Sequence, residues 1–119
     1  MNNRKTGSGQ EQLAADYLVR KGHRILERNF RCRLGEIDII SLDRTAKALV
    51  FTEVKYRRSD RQGDPLEAVD VRKQYRICRT AAYYMMQHCV NMDLSCRFDV
   101  IAVTGEEIRH IENAFPYLQ

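Results

Sequence analysis

The sequence predicts an α/β protein, of the α+β type with one mixed sheet, whose elements follow the order α-β-β-β-α-β-β. Residues 35–43 and 48–57 are rich in β-branched and aromatic residues and flank a short polar loop, which is typical of a hairpin. A helical pattern fills residues 64–90, and residues 96–103 alternate again as a strand. Because a helix between two strands of one sheet usually makes them parallel, we expect helices packed on a mixed sheet.

The N-terminal part predicts one helix and one strand. The helix is expected to begin at Ser8, which would form a capping box with Glu11, and to end at Gly22. Residues 1–7 are expected to be flexible. Residues 24–31 alternate between apolar and polar side chains and predict the first strand.

The second helix is predicted to start at Asp64, with proline in its first turn, and to reach about residue 90 with a break near Asp70. Residues 107–113 predict a last short strand, and the apolar tail 115–118 is expected to pack onto the core. The second helix is predicted to bury an apolar stripe that comprises Val71, Tyr75, Cys78, Ala82, Met85 and Cys89.

Composition predicts one soluble globular domain, residues 1–119, with 44% hydrophobic and 30% charged residues. No apolar run approaches the ~18 residues of a membrane span, and no signal core follows the basic N-terminus, so we expect a cytoplasmic protein. The cysteine spacing fits neither a zinc site nor a disulfide framework. We interpret the three histidines as incidental.

The hairpin register predicts a charged cluster. With a loop over 44–47, Asp43 faces Ala48, and counting onward places Asp38 opposite Glu53 and Glu36 opposite Lys55. Two carboxylates this close repel each other unless a cation lies between them, and oxygen ligands suit Mg²⁺ or Mn²⁺. Each charged residue taken alone fits a solvated strand face, but the set favours a site in which Lys55 orients a water or stabilises charge on a phosphate.

Basic residues are unevenly distributed, although the net charge is only +4. Residues 71–92 contain four basic side chains and no acidic one, and two arginines directly follow the third strand. Arginine suits bidentate phosphate contacts, so this pattern predicts a nucleic-acid-binding surface, although the helical residues also fit the solvated face of an amphipathic helix. The candidate phosphate-binding residues are Arg57, Arg58, Arg72, Lys73, Arg76 and Arg79.

Several motifs carry a resemblance to a known family. They are Gly35-Glu36-Ile37-Asp38, Phe51-Thr52-Glu53-Val54-Lys55-Tyr56-Arg57, Gly63-Asp64-Pro65 and Arg97-Phe98-Asp99-Val100, supported by Glu11 to Leu18 and by Lys73. On these motifs the chain resembles the YraN-like family of small bacterial proteins. That family is similar to the PD-(D/E)XK nuclease superfamily, near the archaeal Holliday-junction resolvases.

The resemblance implies a restriction-endonuclease-like core and a role for each motif residue. It implies that Asp38 and Glu53 are metal ligands, that the Val54 carbonyl also contacts the metal, and that Lys55 is the catalytic cation. Glu11 matches an additional catalytic acid of the resolvase branch, while the capping box accounts equally well for that residue. The family pattern has Gly before this Glu, where this chain has Gln10.

Three functions remain open at this point. The first is a Mg²⁺- or Mn²⁺-dependent DNA endonuclease; the resemblance adds branched DNA as its substrate, which a homodimer would suit. The second is a non-catalytic nucleic-acid-binding module that retains the nuclease fold. The third is a hydrolase of small phosphate esters, whose substrate affinity would depend little on salt, unlike that of a DNA-binding protein.

Overall fold

The computed structural model describes residues 2–58, 63–88, 90 and 94–118, with side chains from Gly9 onward. The order of helices and strands is the predicted one, and a short 3₁₀ helix, Pro65–Ala68, precedes the second helix. The elements are α1 (Asn2–Arg20), β1 (His23–Cys32), β2 (Gly35–Asp43), β3 (Ala48–Arg57), α2 (Val71–Gln87), β4 (Ser95–Thr104) and β5 (Glu107–Ile111).

The five strands form one sheet in the order β1-β2-β3-β4-β5. Neighbouring strands are antiparallel except β3 and β4, which are parallel because α2 crosses between them, as predicted. The β2–β3 hairpin has the predicted register at its loop end, where Ile40 pairs with Phe51, Leu42 with Leu49 and Asp43 with Ala48.

One helix packs on each face of the sheet. The α2 face is covered by a core cluster that joins Ile77, Cys78, Ala81 and Tyr84 of the helix to buried strand residues such as Phe51. A second cluster joins α1 to the opposite face, where its buried residues are Ala14, Ala15, Leu18, Ile39, Val54, Ile101 and Val103. The C-terminal tail packs as predicted, since Phe115 is buried and stacks on Phe98.

The structure corrects the predicted start of α1. The helix begins at Asn2, because no proline interrupts the chain before Ser8, and residues 2–7 are helical. Ser8 therefore lies inside the helix rather than at its N-cap, and the predicted capping box with Glu11 is wrong.

The apolar stripe of α2 is also partly wrong. Val71 and Tyr75 are 70% and 40% exposed, and the buried stripe follows Ile77 and Tyr84 instead. The first turn of α2 lies over the charged end of β3, where Lys73 contacts Glu53, so no apolar surface is there for this turn to bury. The predicted break is confirmed, because Asp70 caps α2 by accepting a hydrogen bond from the Lys73 N–H. Cys89, the last residue of the predicted stripe, lies outside the described residues.

In the described part of the chain, no helix is long and apolar enough to cross a bilayer.

Candidate active site where two strands part

The candidate site lies where β2 and β3 separate. Their ladder ends at the pair Ile39–Thr52, so it does not continue to the predicted pairs. Instead, the Asp38 carboxylate enters the gap and accepts a hydrogen bond from the Val54 N–H at 2.7 Å, in place of the next backbone carbonyl of the ladder. The predicted direct pairing of Asp38 with Glu53 is therefore wrong in detail.

Asp38 nevertheless lies within electrostatic reach of Glu53. Burial raises the pKa of Asp38 to about 7, the negative charge of Glu53 adds to this effect, and the Val54 hydrogen bond opposes it. The charges of Glu11 and Glu36 raise this pKa further by smaller amounts. The structure thus places other acidic side chains around a half-buried carboxyl group, which is the environment that a bound cation would stabilise.

Glu53 is buried, at 8% exposure, and has two cationic partners. Its Oε2 atom lies 3.2 Å from Lys55 Nζ and 2.7 Å from Lys73 Nζ. Burial and the neighbouring Lys73 lower the pKa of Lys55, although Glu53 opposes them. Burial would also lower the pKa of Lys73, but its hydrogen bond to Glu53 and other interactions outweigh burial and raise it. The two ammonium groups therefore differ in how readily they release a proton.

Lys73 was predicted only as a phosphate-binding residue, and the structure places it inside the site. The helical spacing of the sequence could have predicted this position of Lys73. Lys73 lies four residues before buried Ile77, so the two share a helix face, whereas Arg72 is exposed.

Glu11 approaches the same region from the other face of the sheet. Successive strand residues point to opposite faces, so Glu53 and Lys55 face α2, whereas Val54 and Tyr56 face α1. Burial raises the pKa of Tyr56, as do the charge of Glu11 and its hydrogen bond with Tyr56. Glu11 thus contacts the site strand, and its position no longer has a capping explanation.

Two cavities give access to the charged groups. One of about 240 Å³ lies between β2 and α2 and is lined by Gly35, Glu36, Glu53, Lys73, Arg76 and Ile77. The other, of about 250 Å³, is lined by Lys55, Tyr56 and Arg57 and by residues around the 3₁₀ helix. The Glu53–Lys55 pair therefore has a cavity at each end, one lined by Glu53 and the other by Lys55.

The predicted phosphate-binding residues fall into two groups. Arg76 and Arg57 line the two cavities, close to Glu53 and Lys55. Arg58 is exposed just beyond the end of β3. Arg72 and Arg79 are exposed along α2, and Arg79 lines a different groove, farther from the site. Glu36 does not face Lys55 as predicted, because it pairs with Arg31 of β1 at 3.0 Å.

The donor set fits a small divalent cation. The N–H and C=O groups of one residue in an extended strand point to the same side, so the Val54 carbonyl faces the gap that its N–H shares with Asp38. Two carboxylates and a carbonyl are hard oxygen donors, and Mg²⁺ commonly binds one or two carboxylates while keeping several waters. No set of three His, Cys, Asp or Glu side chains converges as a metal site within the described ranges, so Val54 and water would have to complete the coordination.

Sequence reasoning missed a buried polar network on the α1 face of the sheet. Asp99, to which no role was assigned, is 1% exposed and accepts hydrogen bonds from Arg97 at 2.9 and 3.0 Å. His110 lies 2.7 Å from Asp99 and 3.1 Å from the Tyr17 hydroxyl. The interpretation of this histidine as incidental was therefore wrong.

The same network continues to the first two strands. Arg97 contacts Asp43 at 3.1 Å, and Asp43 lies 3.6 Å from buried His23, whose other ring nitrogen is 2.8 Å from Ser41 Oγ. The charged members thus have partners on several strands, so we assign the network a structural role. Only an Arg and an Asp two residues apart on one strand hinted at it in the sequence.

Comparisons with known proteins agree with one another. The model of the uncharacterised protein family UPF0102 matches residues 10–103. A UPF0102 protein of Lachnoclostridium phytofermentans is 49% identical over 115 residues, covering 97% of this chain and 96% of the relative. A UPF0102 protein of Thermodesulfovibrio yellowstonii is 46% identical over 109 residues, covering 92% and 94% of the two chains. The chain belongs to the UPF0102 family.

Proposed function

Taking this family membership as the premise, we propose that the protein is a metal-dependent DNA endonuclease of the PD-(D/E)XK type that acts in the cytoplasm. The observation that carries the proposal is the hydrogen bond that the Asp38 carboxylate accepts from the Val54 N–H, next to a Glu53 carboxylate that forms an ion pair with Lys55. It is supported by the raised pKa of Asp38, which reflects a carboxyl group placed where a cation would relieve repulsion.

The proposed chemistry is phosphodiester hydrolysis. Asp38, Glu53 and the Val54 carbonyl would hold Mg²⁺ or Mn²⁺, which supplies charge neutralisation at the scissile phosphate and a more acidic bound water. Lys55, whose pKa is lowered by burial and by Lys73, would position the attacking water and accept its proton as the new P–O bond forms. The P–O bond to the leaving sugar oxygen breaks, and a solvent proton neutralises that oxygen. Lys73 remains the more basic amine, so it stabilises negative charge on the phosphate.

The proposed substrate is DNA bound through its phosphates. Arg57 and Arg76 line the cavities beside the site, while Arg58 and Arg72 extend the positive surface outward. Arginine forks match phosphate geometry, and such contacts position a nucleic acid without reading its sequence. A preference for branched DNA, and a homodimer that cuts two strands, rest only on the resemblance to junction resolvases.

One observation favours the binding-module alternative. The Glu53 carboxylate already has two ammonium partners, so its charge is compensated without a cation. A protein that retains this arrangement permanently would bind DNA and not cut it. The two readings therefore differ in whether Mg²⁺ changes the state of Asp38 and Glu53.

Cleavage assays with Asp38→Ala test the proposal. Flap, junction, single-stranded and duplex DNA are incubated with the unmodified protein, with Asp38→Ala and with the control Glu107→Gln, which changes an exposed acid at the start of β5 that lines neither cavity. We expect Mg²⁺- or Mn²⁺-dependent cleavage by the unmodified protein and the control. Asp38→Ala should lose cleavage and keep metal-free DNA binding.

The other outcomes separate the alternatives. Salt-dependent DNA binding without cleavage by the unmodified protein overturns the enzyme proposal and supports the module. Hydrolysis of a small phosphodiester such as bis(p-nitrophenyl) phosphate, with no DNA binding at low salt, supports the small-ester hydrolase. Full cleavage by Asp38→Ala contradicts the assigned metal ligand.

A further inference from the structure

A third cavity lies along the C-terminal half of α2 and is not used by the proposed chemistry. It has a volume of about 440 Å³ and is formed by α2, the β1–β2 turn and the C-terminal tail. Two large side chains on its rim are exposed, Met86 of α2 at 69% and Tyr117 of the C-terminal tail at 44%. The residues that matter for its chemistry are Leu34, Arg79, Ala82, Tyr83, Met86 and Tyr117.

This groove lies next to the Glu53 cavity along α2, and residues adjacent in the chain or on the helix line the two. Leu34 lines the groove, and its neighbour Gly35 lines the cavity that contains Glu53. Arg76 and Arg79 are likewise one helical turn apart and line the two cavities in turn. At 1.5 Å per residue, Lys73 and Tyr83 are separated by about 15 Å along α2, which is a span of only a few nucleotides.

The lining matches the chemistry of an unpaired nucleobase. Two tyrosine rings and a guanidinium group offer flat surfaces for stacking, and Ala82 leaves the space between them open. The surrounding helix carries only positive charge, since Val71–Gln87 contains Arg72, Lys73, Arg76 and Arg79 and no acidic residue. A negatively charged strand is therefore attracted to the surface of α2 between the Glu53 cavity and the groove.

We infer that this groove holds an unpaired base of a single-stranded segment attached to the DNA that is cut. The inference rests on the proposed function and specifies its substrate: DNA in which a duplex is joined to a single strand, such as a flap or an overhang. Stacking on tyrosine requires an accessible base face, which an intact duplex does not present. Because every base has such a face, the groove tolerates any sequence.

Fluorescent DNA tests the inference directly. Duplexes with a single-stranded tail carry 2-aminopurine at successive tail positions and are bound to Asp38→Asn protein, which removes a metal ligand and so prevents cleavage. We expect quenching of 2-aminopurine at one or two tail positions near the junction. We also expect tailed DNA to bind at least about fivefold more tightly than blunt duplex, since one stacked base contributes about that factor or more.

Variants of the groove then locate the contact. Tyr83→Ala and Tyr117→Ala should each lower the affinity for tailed DNA toward that of blunt duplex, and Tyr83→Phe should retain it because the ring suffices for stacking. Ala82→Leu, which fills the groove without removing a core contact, should abolish the quenching even where an alanine variant folds poorly. Val71→Ala is the matched control, because Val71 is 70% exposed on the same helix and does not line the groove.

The outcomes separate this inference from the proposed function. If the protein cleaves DNA but the tail adds no affinity and 2-aminopurine is not quenched, the groove inference is overturned and the nuclease proposal stands. If tailed DNA is bound with the expected variant pattern and no metal-dependent cleavage occurs, the nuclease proposal fails and the groove assignment stands. If Met86→Ala changes the sedimentation of the protein and not its DNA affinity, the groove is a contact between two copies of the chain, which also overturns the inference.

Discussion

Replacing Asp38 by asparagine should make the metal-free protein more stable at neutral and alkaline pH. The pKa of Asp38 is raised from its ordinary value of 3.8 to about 7, mainly by burial and by the charge of Glu53. The folded protein therefore holds a proton at Asp38 that the unfolded chain has already lost. Between about pH 4 and pH 7 the free energy of unfolding falls as pH rises, because the unfolded state binds fewer protons there.

The size of the effect follows from this difference in pKa. The pKa of Asp38 is about three units higher in the folded protein than in the unfolded chain. At about 1.36 kcal/mol for each unit, the ionised carboxylate lowers the free energy of unfolding by about 4 kcal/mol above pH 7. Asparagine has the shape of the protonated carboxyl group, and its side-chain oxygen still accepts the Val54 N–H bond. We therefore expect Asp38→Asn to unfold with a free energy about 2–4 kcal/mol higher at pH 8 and nearly unchanged below pH 4.

Urea denaturation at pH 4, 6 and 8, with EDTA present, measures the difference. Glu107→Gln is the matched control: it removes an exposed acid at the start of β5, away from Asp38, so its free energy of unfolding should change by less than about 0.5 kcal/mol. Equal stabilities of Asp38→Asn and the unmodified protein at pH 8, or a less stable variant, would refute the argument that Asp38 is held in an unfavourable charged environment.

Three further substitutions probe the scaffold and the site. Gly35→Ala should lower the free energy of unfolding by about 1–3 kcal/mol in urea melts, since its Cβ would lie 2.8 Å from Thr80 Oγ1; a neutral result contradicts close packing of α2. Asp99→Asn should lower the free energy of unfolding by about 3–5 kcal/mol at pH 7, measured by calorimetry, and by less below pH 4. The reason is that hydrogen bonds from the residues around Asp99 outweigh burial and hold its pKa below the usual range. Lys73→Met should destabilise the metal-free protein by about 1–3 kcal/mol, and added Mg²⁺ should reduce that loss if Glu53 exchanges an ammonium for the ion.

Local patterns in the sequence were sufficient for the fold. Strand composition and the length of the polar loop predicted the hairpin and its register near the loop, because the loop length of a hairpin fixes which residues pair. They failed where the ladder opens, since the counting that placed Asp38 opposite Glu53 assumed that the backbone pairing continues. A side chain that replaces a backbone acceptor, as Asp38 does for Val54, leaves no periodic signal.

Long-range polar contacts were equally invisible in the sequence. His110 and Tyr17 are 93 residues apart and meet only because α1 packs on the face of the sheet that β5 completes. Arg97 and Asp99 could be seen to share a strand face, but Asp43, the second carboxylate that Arg97 contacts, comes from the β2–β3 hairpin. The start of α1 was misjudged because a local motif at Ser8 was given more weight than the absence of proline upstream.

The raised pKa of Asp38 also links metal binding to pH. A divalent cation binds the ionised carboxylate, so ion binding must displace the proton that Asp38 holds below about pH 7. The dissociation constant for Mg²⁺ should therefore rise by up to tenfold for each pH unit below 7 and change little above it. Calorimetry in two buffers of different ionisation enthalpy should show release of about one proton per ion at pH 6 and almost none at pH 8. Because the repulsion that weakens the metal-free fold is what the cation relieves, Asp38→Asn should show greater metal-free stability and no stabilisation by Mg²⁺; a Mg²⁺ affinity that is independent of pH between 5 and 8 would separate Asp38 from the ion altogether.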